Sequence, residues 1–189
     1  AVNNNARVFA DKGGADELGV GTNMAKAIRY WLRTAGLTSE SQRDGVLLTD
    51  FGRVVYENDL YLEDVTSLWL IHINIATNFS LATSWNVFFN HYIVNSFTKD
   101  EMIAGMTQAL TEKTWSDSLS DRLIKDDCSA ILSMYTTVRE KHPDPEDKKV
   151  SPFAVLGLLS SNGVLYSREQ PVFSKISPAV ISYMLSPAL

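Results

Sequence analysis

Apolar residues at Met24, Ala27, Ile28, Trp31, Leu32 and Ala35 recur three and four apart, the spacing of one side of an α-helix. Thr22 is placed to cap that helix, since a threonine hydroxyl can accept a hydrogen bond from a free amide of the first turn. Gly36 is placed to end it in a left-handed turn, with Leu37 folding back onto it. Lys26, Arg29, Tyr30 and Arg33 fall on the other side. A polar link over 38–44 leads to the β-prone run Gly45-Val46-Leu47-Leu48-Thr49, and Phe51 to Tyr56 then reads as a strand or a short helix. Helix, tight cap and short extended segments follow one another as in a winged helix, whose helix before the wing enters the major groove. Leu48-Thr49-Asp50-Phe51-Gly52 fits the Leu-Thr-x-x-Gly found at this point in many winged-helix regulators.

From Glu63 to Ala76 the apolar residues wrap nearly all round, which predicts a buried helix. Thr83 or Ser84 can cap the next, carrying Trp85, Val87, Phe88, Phe89, Tyr92 and Ile93. Thr98 and Glu101 form a capping-box pair. Ser118 or Ser120 starts a helix with Leu123, Ile124, Cys128, Ile131, Leu132 and Tyr135 on its apolar side. The stretch from His142 to Lys149 reads as an exposed loop. Beyond Phe153, the Ser160-Ser161-Asn162-Gly163 turn predicts a hairpin or second wing. The expected fold is mainly α with short β-hairpins: two winged-helix-like units around a helical core. Residues 1–95 form a DNA-binding half and 96–189 a second helical half.

A chain of 189 residues with 45% apolar content can bury a core without a disulfide or metal staple. Its one cysteine, Cys128, fits a reducing, cytoplasmic setting. No apolar run approaches the roughly 18 residues of a membrane span, and a secretory leader is expected to be absent or already removed. The formal net charge of −5 argues against a bulk nucleic-acid binder. The distribution argues the other way, because Lys26, Arg29 and Arg33 stand between Thr22 and Leu37 with no acid among them. Lysine and arginine neutralise phosphates, and arginine reads guanine through its fork. Asn23 can reach an adenine edge or a phosphate. The candidate DNA face is therefore Asn23, Lys26, Arg29, Tyr30 and Arg33; its plain alternative is a solvated helix side.

Other chemistry finds no constellation. Three histidines and one cysteine exclude an ordinary zinc finger, and His72 and His91 read as hydrogen-bonded core residues. There is no Gly-x-Ser-x-Gly elbow or Walker motif. Gly19-Val20-Gly21 lacks the third glycine of a dinucleotide fingerprint. A metal-dependent nuclease needs carboxylates converging on a divalent ion. Asp121, Asp126 and Asp127 share one helix, while Glu63 and Asp64 open another, where its dipole already favours acids. None of these spacings is a known nuclease pattern.

Several stretches together resemble one family: Leu18-Gly19-Val20-Gly21-Thr22-Asn23-Met24, Ile28-Arg29-Tyr30-Trp31-Leu32, Ala35-Gly36-Leu37, and Leu48-Thr49 with Gly52. Tyr61-Leu62-Glu63-Asp64 leading into Leu68-Trp69-Leu70-Ile71-His72, then Ala82-Thr83-Ser84-Trp85, Phe89-Asn90, Lys125-Asp126 and Leu156-Gly157-Leu158, complete the set. The chain is similar to a bacterial domain family, long without assigned function, encoded beside phosphoadenylylsulfate-reductase-like genes. The family includes the DNA-nicking component of the Ssp phosphorothioation system of antiphage defence. The resemblance implies a partner in double-stranded DNA, and in the cysteine desulfurase and sulfur-transfer ATPase of the same system. It implies a nickase (an endonuclease); hydrolysis by metal-activated water would use Mg or Mn, and the acids of this chain that are candidate ligands are Glu63, Asp64, Asp126 and Asp127, none of them carried over from the family. One departure is Ile124-Lys125-Asp126, where a basic pair before the aspartate is expected, and it weakens a phosphate contact there. A non-catalytic DNA-binding adaptor, and a protein-interaction domain that forms a homodimer, remain as alternatives.

Overall fold

Helices carry most of the chain and the strands are short, as the apolar spacing requires. The computed structural model describes residues 2, 5–9, 13–114, 119–138, 151–172 and 176–185. They fall into two compact units, Ala1–Ser67 and Leu68–Leu189, a division earlier in the chain than residue 95.

The N-terminal unit holds α1 (Gly13–Glu17), α2 (Thr22–Thr34), the hairpin of β1 (Thr38–Ser41) and β2 (Gly45–Leu48), and α3 (Asp50–Asn58). Thr22 does not cap α2. Gly21 takes the extended cap conformation without a side-chain bond, so Thr22 is already helical. At the other end the expected turn is present. Gly36 has φ +72°, its amide donates to Arg33 O at 3.0 Å, and Leu37 N–H reaches Leu32 O at 3.0 Å. Together these are the two bonds of a Schellman cap. The Leu48-Thr49-x-x-Gly52 run has a physical role at this junction. Thr49 Oγ1 donates to Gly36 O at 2.6 Å and accepts from Gly52 N–H at 2.9 Å. It thereby binds the last carbonyl turn of α2 and caps α3. The backbone of Gly52 lies so close to Leu37 that a Cβ there would run into the Leu37 carbonyl. Phe51–Tyr56 is thus part of a helix, not a strand.

In the C-terminal unit, α4 (Val65–Thr77, from Leu68 on), α5 (Thr83–Asn90), α6 (Lys99–Thr114) and α7 (Asp121–Tyr135) supply the core. Leu68, Ile71, Ile75, Val87, Phe88, Met102, Met106, Ile131 and Tyr135 are buried in it. On α4 the burial is one-sided, with Trp69, Leu70 and Ile73 only half-buried. Neither Thr83 nor Ser84 caps α5, whose cap is Ala82. The capping box forms as expected, with Thr98 N–H on Glu101 Oε2 at 2.7 Å and Glu101 N–H on Thr98 Oγ1 at 3.3 Å. Ser120 precedes α7; Ser118 and the 142–149 stretch lie outside the described residues.

β3 (Ser96–Phe97), β4 (Thr136–Val138), β5 (Leu159–Ser161) and β6 (Tyr166–Arg168) form one sheet in the order β3-β6-β5-β4. The Asn162-Gly163 hairpin joins β5 to β6 in register Ser161↔Tyr166. It is flanked on both sides, because β6 pairs with β3 and β5 runs parallel to β4. The hairpin is thus an internal part of a four-stranded sheet. The fold is mainly helical with small sheets; the α2-hairpin order is present, while winged-helix units as such are not established.

Candidate nucleic-acid interface

Helix α2 is packed along a narrow strip. Ala25, Thr34 and Ala35 are buried and Ile28, Trp31 and Leu32 half-buried. Met24 (57% exposed) and Ala27 lie in the open instead of in the apolar stripe. The outward side is correspondingly broad. Asn23, Lys26, Ala27, Tyr30 and Arg33, three and four apart, are all exposed on it. Tyr30 meets the Trp31 ring edge-on, and its carbonyl accepts from the Thr34 hydroxyl at 2.8 Å.

One acid stands among these cations. Glu40, on β1, accepts from Arg29 Nε at 2.7 Å and from Arg29 Nη2 at 3.0 Å, and lies 3.8 Å from Arg33 Nη1. The Arg29 fork holds the Glu40 carboxyl below its usual range, and the same bond raises Arg29. Both guanidiniums keep solvent contact, with 42% and 50% of their side chains exposed. Lys26 has no ion pair among the described residues. Among the described residues, three cations against one carboxylate leave the face positive. Beside it a cleft of about 340 Å³ is lined by Arg29, Arg33, Glu40, Ser41 and Gln42. Glu40 escapes a linear reading because it lies outside α2; it arrives through the β1–β2 register that sets it opposite Val46.

The remaining candidates do local work. Asp64 accepts from Thr66 N–H at 2.7 Å at the start of α4. Glu63 and Asp64 both donate their amides to Asp59, at 2.8 and 3.1 Å. Asp126 lies 3.8 Å from Arg122, one turn away on α7, and Asp127 accepts from the Ser84 hydroxyl at 2.6 Å. Glu63 and Asp64 belong to the N-terminal unit, Asp126 and Asp127 to the C-terminal one. Among the described residues no group of three or more His, Cys, Asp or Glu side chains could hold a metal ion. Neither pair by itself makes such a group.

His72 is a buried core histidine, 3.0 Å through Nδ1 from the Tyr135 hydroxyl and packed edge-on against Trp69 and Phe89. His91 differs from expectation: it follows the end of α5 and is exposed. Cys128 is fully buried on α7, and burial, aided by the Asp127 charge, pushes its thiol up to about 12. Burial of this kind disfavours the thiolate form. Among the described residues no helix is long and apolar enough to cross a membrane.

A family model described as Protein of unknown function (DUF4007) matches residues 1–188. No curated protein matches the chain. Among solved structures, the magnesium ion-bound crystal structure of SspB superposes with a TM-score of 0.75 at 27% identity, over 95% of this chain and 57% of that one. A second SspB crystal structure gives a TM-score of 0.75 at 28% identity, over 95% and 56%. The chain thus spans a little over half the length of SspB.

Proposed function

This chain belongs to the family described as Protein of unknown function (DUF4007), and we propose that it is a component of a bacterial DNA phosphorothioation system that engages double-stranded DNA through the outward side of α2. The similarity to SspB supports the pathway. One observation carries the binding half: Asn23, Lys26, Tyr30 and Arg33 stand exposed on one helix side with Arg29 at its edge. Cations spaced so can track phosphates, while Asn23 and an arginine fork can reach base edges. On this reading the cysteine desulfurase and the sulfur-transfer ATPase of the system are its protein partners, met at the DNA. The reading extends to nicking of one strand with magnesium or manganese, an activity that comes to this chain from the likeness to magnesium-bound SspB and not from the four acids above.

Duplex titrations test the proposal. Replacing Lys26, Arg29 and Arg33 together with alanine should weaken binding at least roughly ten-fold at low salt. It should also flatten the log–log salt dependence by about two, the loss expected when phosphate contacts go. Binding and slope equal to the parent protein would remove α2 from the interface. The acids already in local roles give specific support to a non-catalytic adaptor as second reading. That reading keeps the same DNA face.

A further inference from the structure

Each bidentate edge of a guanidinium holds one anion at a time, and a carboxylate on one edge offsets the charge that would draw a second anion to the other. In this chain the fork of Arg29, the edge formed by Nε and Nη2, is taken by both oxygens of Glu40. The same carboxylate draws Arg33 to 3.8 Å. Carboxylate and phosphate present matching oxygen pairs to guanidinium, so Glu40 sits as a backbone phosphate would. The open cleft of about 340 Å³ beside it, rimmed by Arg29, Arg33, Ser41 and Gln42, gives a phosphodiester room to approach those arginines. The pair is solvent-accessible, and such pairs are worth little. An incoming phosphate must therefore compete with the carboxylate for Arg29.

We infer that Glu40 is a built-in competitor of DNA phosphate for Arg29, a specificity-determining residue that keeps this face from gripping any duplex by charge alone. The inference rests on the α2 reading given above. With Glu40 in place, backbone attraction falls to Lys26 and Arg33, and added binding must come from contacts that depend on the bases. Without it, Arg29 adds one more phosphate contact regardless of sequence.

Duplex binding by the parent protein and by Glu40→Gln, Glu40→Asp, Arg29→Ala and Glu40→Gln/Arg29→Ala variants, between about 50 and 200 mM salt, tests this. Glu40→Gln should bind random-sequence duplex roughly three- to ten-fold tighter at the low-salt end, with a slope steeper by about one. Glu40→Asp should stay near the parent. The gain should vanish in the double variant, since it requires a freed Arg29. Unchanged or weaker binding by Glu40→Gln overturns the assignment, and so does a gain that persists without Arg29. The triple alanine variant keeps the two ideas apart. If it binds like the parent, the α2 reading fails; if it binds weakly while Glu40→Gln gains nothing, only the role of Glu40 falls.

Discussion

A neutral imidazole is the form of His72 that the interior of the C-terminal unit can hold. Its neighbours are the Tyr135 hydroxyl and the rings of Trp69 and Phe89. Burial lowers its pKa from 6.5 to about 4, because no counter-charge replaces the lost hydration of the imidazolium. The sign follows from linkage. Between roughly 6.5 and 4 the unfolded chain takes up a proton that the folded chain refuses, so stability falls as pH falls through that window. The loss is on the order of 3 kcal/mol by pH 4. Urea unfolding at several pH values, followed by tryptophan fluorescence, should show this loss in the parent. His72→Phe should show a flatter profile. Equal slopes would mean the acid sensitivity comes from other groups. At the same scale, His72 was legible as a core histidine from its place in an apolar run. The exposure of His91 was not, because it depends on where α5 ends.

Between elements, the join from α2 to α3 explains why Thr49 and Gly52 occur together. One hydroxyl serves the ends of two helices, and one glycine lets their backbones meet. Thr49→Ala loses a cap and leaves the Gly36 carbonyl without its hydroxyl donor, at a cost of about 1–2 kcal/mol. Gly52→Ala should cost more, at least about 2–3 kcal/mol, since the methyl meets backbone that cannot swing aside. Thermal melts of both variants check the order; a Gly52→Ala protein as stable as the parent would contradict the close approach. Because this join anchors the hairpin that carries Glu40, both changes should also loosen the Arg29 pair. The Leu-Thr-x-x-Gly motif is visible in the chain, but position alone points only to a winged helix. Contacts between caps are its physical content.

For the molecule as a whole, charge sets the terms of any encounter with DNA. A net charge of −5 gives a duplex no long-range attraction, and solvent ions screen charges farther apart than about 8–10 Å, so under the proposed function attraction acts at close range on the α2 side and should fade quickly with salt. Under the proposed function, incubation with supercoiled plasmid and magnesium or manganese converts it to open circle. A plasmid that is retarded yet stays closed in both metals identifies the adaptor. Family membership and likeness to SspB were readable from motifs spread along the chain, from Leu18 to Leu158. The separate acids were readable only as positions. Their local partners, Asp59 with two amides and Ser84 with Asp127, emerge from turns and from helix packing across 43 residues of sequence.

Helix spacing, the glycine stop after α2, the Thr98–Glu101 box and the Asn162-Gly163 turn were determined by sequence alone, because each depends on residues within a few positions of one another. Tertiary structure decided what distance in the chain conceals. It enclosed the β5–β6 hairpin between two other strands, left Met24 and Ala27 in solvent, and brought Glu40 across a hairpin to Arg29 and Arg33. A local pattern states which side chains a helix carries; only the fold states which charges they meet.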